Sequence, residues 1–162
     1  MFFYNQVLFA TLGQPRYNGA SKIIDLSPAL VEKLIKKATT SSKKKVPHSW
    51  LVIFYANWSD SCVEHEPMLA DLSLSFTSKT LQFGRVDVVK WPDLAVEHRI
   101  NVSMSSWQLP TLILFQHGKE VGRLPSIDGN NKVTKTVLDR ARLLMAFQLQ
   151  DLKDGKRTSF AQ

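Results

Sequence analysis

The chain has 162 residues, 44% of them hydrophobic and 22% charged, which suffices for one domain with a real core and is too little for two ordinary ones. Its formal charge of +7 is lopsided: residues 1–48 hold eight Lys/Arg against two Asp/Glu, whereas residues 49–162 hold thirteen against twelve. The folded part is thus nearly neutral, so nucleic acid is not expected as a partner, and a single cysteine excludes any intramolecular disulfide scaffold.

Met1 to Leu12 is apolar and aromatic, but Asn5 and Gln6 interrupt it. It falls short of the ~20 residues a spanning helix needs. No basic residue precedes it, as a signal peptide would require. It reads either as a packed or disordered start or as the remnant of a membrane span. Gly13, Pro15 and Gly19 mark a loop. Ser27 and Pro28 are a cap and a first helical residue. Leu30, Val31, Leu34, Ile35 and Ala38 then recur at helical spacing to about Thr39. Lys43, Lys44 and Lys45 lie in a polar linker, which is either a solvated loop or a segment attracted to an anionic leaflet.

Trp50 to Ala56 is unbroken apolar sequence, as in a central strand buried on both faces. A helix is expected from Cys62 to about Ser75, kinked at Pro67, with Cys62, Leu69, Leu72 and Phe76 toward the sheet. Leu81 to Val88 reads as a strand, and Trp91-Pro92-Asp93 opens a short helix to about Arg99. Thr111 to Gln116 and Glu120 to Leu124 form a hairpin about His117-Gly118-Lys119. Val137, Leu138, Ala141, Leu144, Met145 and Leu149 mark one long closing helix. The order is αβαβαββα, a mixed α/β domain.

Two blocks carry a family resemblance. Phe54-Tyr55-Ala56-Asn57-Trp58-Ser59-Asp60-Ser61-Cys62, with Pro67 behind it, resembles the signature of the thioredoxin family, aromatic-x-Ala-x-Trp-Cys-x-x-Cys. Leu109-Pro110-Thr111-Leu112-Ile113-Leu114-Phe115 with Gly118, about fifty residues further on, looks like the family's cis-proline loop and strand. The details are most similar to the thioredoxin-related transmembrane branch. The resemblance implies a thioredoxin fold, a central mixed sheet flanked by helices with a cis-proline loop. The domain would span 49–152, joined by the helix and basic linker 27–48 to the segment 1–26, and followed by a flexible tail 153–162. It also raises the reading of Met1 to Leu12 as a span remnant, and implies the endoplasmic reticulum membrane and its mitochondrial contacts, with the domain facing the cytosol.

Dithiol exchange needs one thiolate to attack and a second thiol to resolve the mixed disulfide. By the resemblance Ser59 stands at the attacking position and Cys62 at the resolving one. The family's buried acid is replaced by Ile53, and its usual basic residue after the second cysteine by Val63. The motif Trp58, Ser59, Asp60, Ser61, Cys62 is therefore a degenerate site, and no turnover oxidoreductase is expected. Cys62 remains as a redox-active candidate, a regulatory thiol or the bridge of a homodimer, or else as an inert packing residue. A helix N-terminus and a protonated His65 would activate it, while burial and Asp60 would oppose this.

Trp58, Leu109 and Pro110 form the expected groove for an extended segment of a partner protein, held by backbone hydrogen bonds. The alternative is a purely structural turn at Pro110. Trp107, in a stretch longer than plain thioredoxins have, either covers this groove or fills the core. His48, His65, His98 and His117 show no metal-like spacing, so neither a metal nor a cofactor is expected.

Overall fold

The computed structural model describes residues 17–36 and 49–156. Met1 to Leu12, Ala38 and Thr39, Lys43 to Lys45 and the last six residues lie outside the described residues. In chain order the elements are β1 (Ile24–Asp25), α1 (Pro28–Leu30, continued by a wider π-helical segment Val31–Lys36), β2 (Ser49–Tyr55), α2 (Asp60–Phe76), β3 (Leu81–Asp87), α3 (Pro92–Glu97), β4 (Thr111–Gln116), β5 (Lys119–Leu124), α4 (Arg140–Ala146) and α5 (Leu149–Lys153).

β2 is the middle strand. Side chains alternate along a strand. Trp50, Val52 and Phe54 enter one apolar cluster while Leu51 and Ile53 enter the other, and none of the five is more than 4% exposed. The first cluster is covered by Val31, Ile35, Leu94 and Ala95, the second by Leu69, Leu72, Leu143, Phe147 and Leu152. Each large side chain so buried contributes about 1.5–3 kcal/mol. β2 pairs in parallel with β3 (Leu51 opposite Phe83) and antiparallel with β4 (Leu51 opposite Leu114), in a sheet of order β1-β3-β2-β4-β5. This is the expected thioredoxin architecture, and the Leu109–Pro110 bond is cis.

Local chemistry sets the element ends. The Ser27 hydroxyl accepts the Leu30 N–H at 3.4 Å, and Asp139 accepts that of Arg142 at 2.8 Å. The hairpin turns on His117 and Gly118, both at positive φ (52° and 75°), as a two-residue connection between twisted strands favours.

Four expectations are corrected. β1 was not foreseen, because two residues offer no alternation to read. α2 starts at Asp60, two residues before Cys62, since Ser59 is its cap, and Pro67 lies inside it as expected. α3 ends at Glu97. The closing helix is two short ones, because Gln148 adopts φ 50°, ψ 50° and rotates the chain out of phase. Val137 lies before α4, which begins only at Arg140, and like Met145 it is exposed, while Leu143, Phe147 and Leu152 are fully buried.

His98, just after α3, lies between the rings of Phe54 (5.2 Å) and Phe115 (5.4 Å), and its Nε2 is buried without a hydrogen-bond partner. Burial pulls its pKa below the ordinary 6.5, against Glu97 and Glu120, which raise it; Arg123 and Lys36 lower it further. As pH falls below 6.5, the unfolded chain takes up this proton before the folded one does. His98 therefore costs no stability above that value and lowers stability progressively below it. Urea midpoints measured between pH 7.5 and 5 should fall more steeply for the native chain than for His98→Phe; parallel curves would disprove a buried neutral imidazole.

Candidate functional site

β2 ends at Tyr55 and the chain turns at Asn57 and Trp58, closed by the Ser59 N–H donating to the Ala56 carbonyl at 3.2 Å. The Ser59 hydroxyl accepts the N–H of Cys62 at 3.4 Å, and the Ser59 carbonyl accepts that of Val63 at 3.2 Å. The Ser59 oxygen is thus employed in starting α2, a cap contributing about 1 kcal/mol.

Cys62, one turn into the helix, is a free thiol only 7% exposed, in the same apolar cluster as Ala56 and Leu109. Burial raises its pKa above the ordinary 9.0, and the charge of Glu66 adds to this; hydrogen bonds with the Ser59 hydroxyl and the Ala56 backbone pull the other way without reversing it. The sulfur is accordingly protonated at neutral pH. His65 does not activate it: its Nδ1 donates to the Ser61 carbonyl at 2.6 Å.

Ile53 is buried among Leu51, Leu69 and Leu72, so no acid reaches the thiol from β2. Directly opposite Ile53 on β3 stands Arg85, whose Nε bonds Asp25 at 2.5 Å and whose Nη1 bonds Glu66 at 3.3 Å, over the Tyr55 ring. This Asp25–Arg85–Glu66 network joins β1, β3 and α2. Nothing in the sequence announces it, because it depends on the β1–β3 register that sets Asp25 opposite Arg85.

In front of the turn lies a groove of about 530 Å³. Trp58, Ser59, Asp60 and Ser61 form one wall and Leu109 and Pro110 its floor. Cys62 is not on its surface. Trp107 is 62% exposed and lines the groove, so it does not fill the core. Lys135 Nζ stands 4.0 Å from the centre of its ring, a cation–π contact tying the long loop before Pro110 to the segment after β5. Lys135, Val137 and Met104 also line the groove; Lys135 and Met104 sit in irregular segments with no periodic signal, and Val137 was assigned by its spacing to the closing helix, which starts only at Arg140.

The fold and the turn define a thioredoxin-type domain, and residues 31–139 match the thioredoxin family model. The chain belongs to the thioredoxin family. Its relatives include the thioredoxin-related transmembrane protein 2 homolog of Drosophila melanogaster, 37% identical over 87% of this chain and 50% of that protein. Thioredoxin-related transmembrane protein 2 of Xenopus laevis is 39% identical over 64% of this chain and 36% of its own length. The chain spans about half the length of these relatives or less. Among solved structures, thioredoxin NaTrxh from Nicotiana alata matches with a TM-score of 0.53 and 24% identity over 68% of this chain and 85% of its own, a likeness of fold. The relatives are named as transmembrane proteins; among the described residues here, no helix is long and apolar enough to cross a membrane.

Burial makes a simple kinetic statement. At pH 7.5 iodoacetamide should alkylate Cys62 at least ~100-fold more slowly in the native protein than in urea. The native midpoint should lie above 9.0; fast labelling with a lower midpoint would establish an exposed thiolate instead.

Proposed function

We propose that this domain is a membrane-associated regulator of the thioredoxin family that captures an extended segment of a partner protein and does not turn over dithiols. The observation that carries this is the separation of sulfur from groove: Cys62 is buried and protonated behind the Ser59 cap, while an open cleft lies in front of it. A segment laid along Leu109 would meet two exposed indoles, Trp58 at 44% and Trp107 at 62%. Asp60 and Glu64 at one side and Lys135 at the other would fix its direction. Such capture needs no sulfur. Residues 49–152 would act as the binding unit, with 27–48 joining it to what precedes.

The names of the relatives support a membrane context. Lys43 to Lys45 ahead of the fold favour a cytosolic face by the positive-inside tendency, which suits the endoplasmic reticulum membrane and its mitochondrial contacts. A second reading keeps Cys62 as a regulatory thiol, or as the bridge of a homodimer through an intermolecular disulfide. It is favoured by the hydrogen bonds of Ser59 and Ala56 to the sulfur, which act in the thiolate's favour against burial.

Reduction of insulin by dithiothreitol should proceed no faster with the native chain than in a blank. Ser59→Cys should gain weak turnover, still limited by Ile53 and Val63; native activity would sink the non-catalytic reading. On arrays of extended peptides, Trp58→Ala and Trp107→Ala should each weaken capture by at least about tenfold. Cys62→Ala should leave capture unchanged, and if it abolished capture the redox reading would take precedence.

A further inference from the structure

The registers place the two ends of the sheet unambiguously. Ser49 of β2 lies opposite Leu81 of β3 and Gln116 of β4, so the chain entering β2, the turn before β3 and the β4–β5 hairpin share one end. The groove lies at the other end, beyond Tyr55. A strand of this length separates them by ~20 Å. α5 closes at the first end too, because Thr80 Oγ1 donates to the carbonyls of Leu152 (2.8 Å) and Lys153 (2.9 Å). Lys22 joins from the N-terminal side through its N–H to Ser73 Oγ at 3.0 Å.

Charge follows this geometry. The end away from the groove exposes Lys22, Lys79, Lys119, Lys153 and Lys156. Among the acids there, Asp151 is paired with Lys156 and Glu120 with Arg123, which leaves Asp154 beside Gln150. Among the described residues, Lys22, Lys79 and Lys119 have no ion-pair partner. The groove end instead carries Asp60, Glu64, Asp87, Asp93 and Asp128, with Lys90, Lys132 and Lys135. The molecule is therefore polarised along its strands.

We infer that this lysine-rich end is a docking face for an anionic lipid surface, and that it holds the domain with its groove pointing away from the membrane. Exposed lysines within a Debye length of an anionic leaflet are each attracted to it, and a face of one sign opposite a face of the other orients the whole domain. The inference rests on the membrane association proposed above and adds which surface meets the lipid. A captured segment would then be approached from the aqueous side.

The test uses the full chain, with vesicles of phosphatidylcholine alone or with 30% phosphatidylserine, at about 0.1 M salt, where screening is moderate. Co-sedimentation should require phosphatidylserine and fall as salt rises. Lys79→Glu with Lys119→Glu should reduce it at least ~tenfold. The charge-matched pair Lys90→Glu with Lys132→Glu should reduce it far less. With vesicles present, acrylamide should still quench the exposed indoles Trp58 and Trp107, a readout on native protein that holds even if a charge variant misfolds. Equal losses in both pairs, no preference for phosphatidylserine, or shielding of these indoles would overturn the inference. So would tighter binding of a 20-base-pair duplex lost through the same lysines, which would make the face a nucleic-acid site. A membrane span elsewhere in a longer chain would keep the protein in membrane fractions whatever this result, so failure of the face is distinguishable from failure of membrane association.

Discussion

The structure depends on one constraint, the burial of β2 on both of its faces. A strand with no solvent side must satisfy its backbone through neighbours on either edge and its side chains through a layer of helices above and below. Trp50 to Phe54 meet that demand, and β3, β4 and the helices are arranged around them. Where such a strand ends, the chain must turn at once to keep its next apolar residues covered. That requirement places Ser59 at a helix start and Cys62 beneath it.

Within that turn the Ser59 oxygen has a structural part to play. The Ser59 hydroxyl caps α2, and burial and Glu66 together hold the thiol in its protonated form. Ile53 removes the acid that would handle its proton, and Arg85 across the strand pair is neutralised by Asp25 and Glu66. Each departure is tolerated because the fold needs only the volume of these groups. The groove is built separately, from the turn, the proline loop and the segment after β5, so it persists independently of the sulfur chemistry.

The polarity of the molecule has the same origin. Parallel strands deliver their C-terminal ends, and the helix starts that follow them, to one edge of the sheet, where acids complement the helix dipole. Asp60 and Asp93 sit in the first turns of α2 and α3. The opposite end collects turns, where lysines are solvated without cost. The groove and a basic face thereby come to lie at opposite ends of one small domain.

Much of this was legible in the residues. The apolar run Trp50 to Ala56, the Ser27 cap, the His117-Gly118 turn and the paired signatures around Trp58 and Pro110 are local patterns, and local patterns survive folding because backbone propensity and periodicity act over a few residues. That Ser59 stands in the signature where the resemblance implies a cysteine was equally plain, since it is a matter of chemical identity. What only the tertiary structure decided is where groups far apart in sequence meet. The left-handed Gln148 split the closing helix in two, with Leu143 and Phe147 buried before it and Leu149 and Leu152 after it. The β1–β3 register brought Asp25 to Arg85, Lys135 came to rest over Trp107, and packing under Leu109 and Ala56 sealed Cys62 from solvent. Burial, ion pairing and pKa depend on neighbours in space, and no pattern along the chain specifies those.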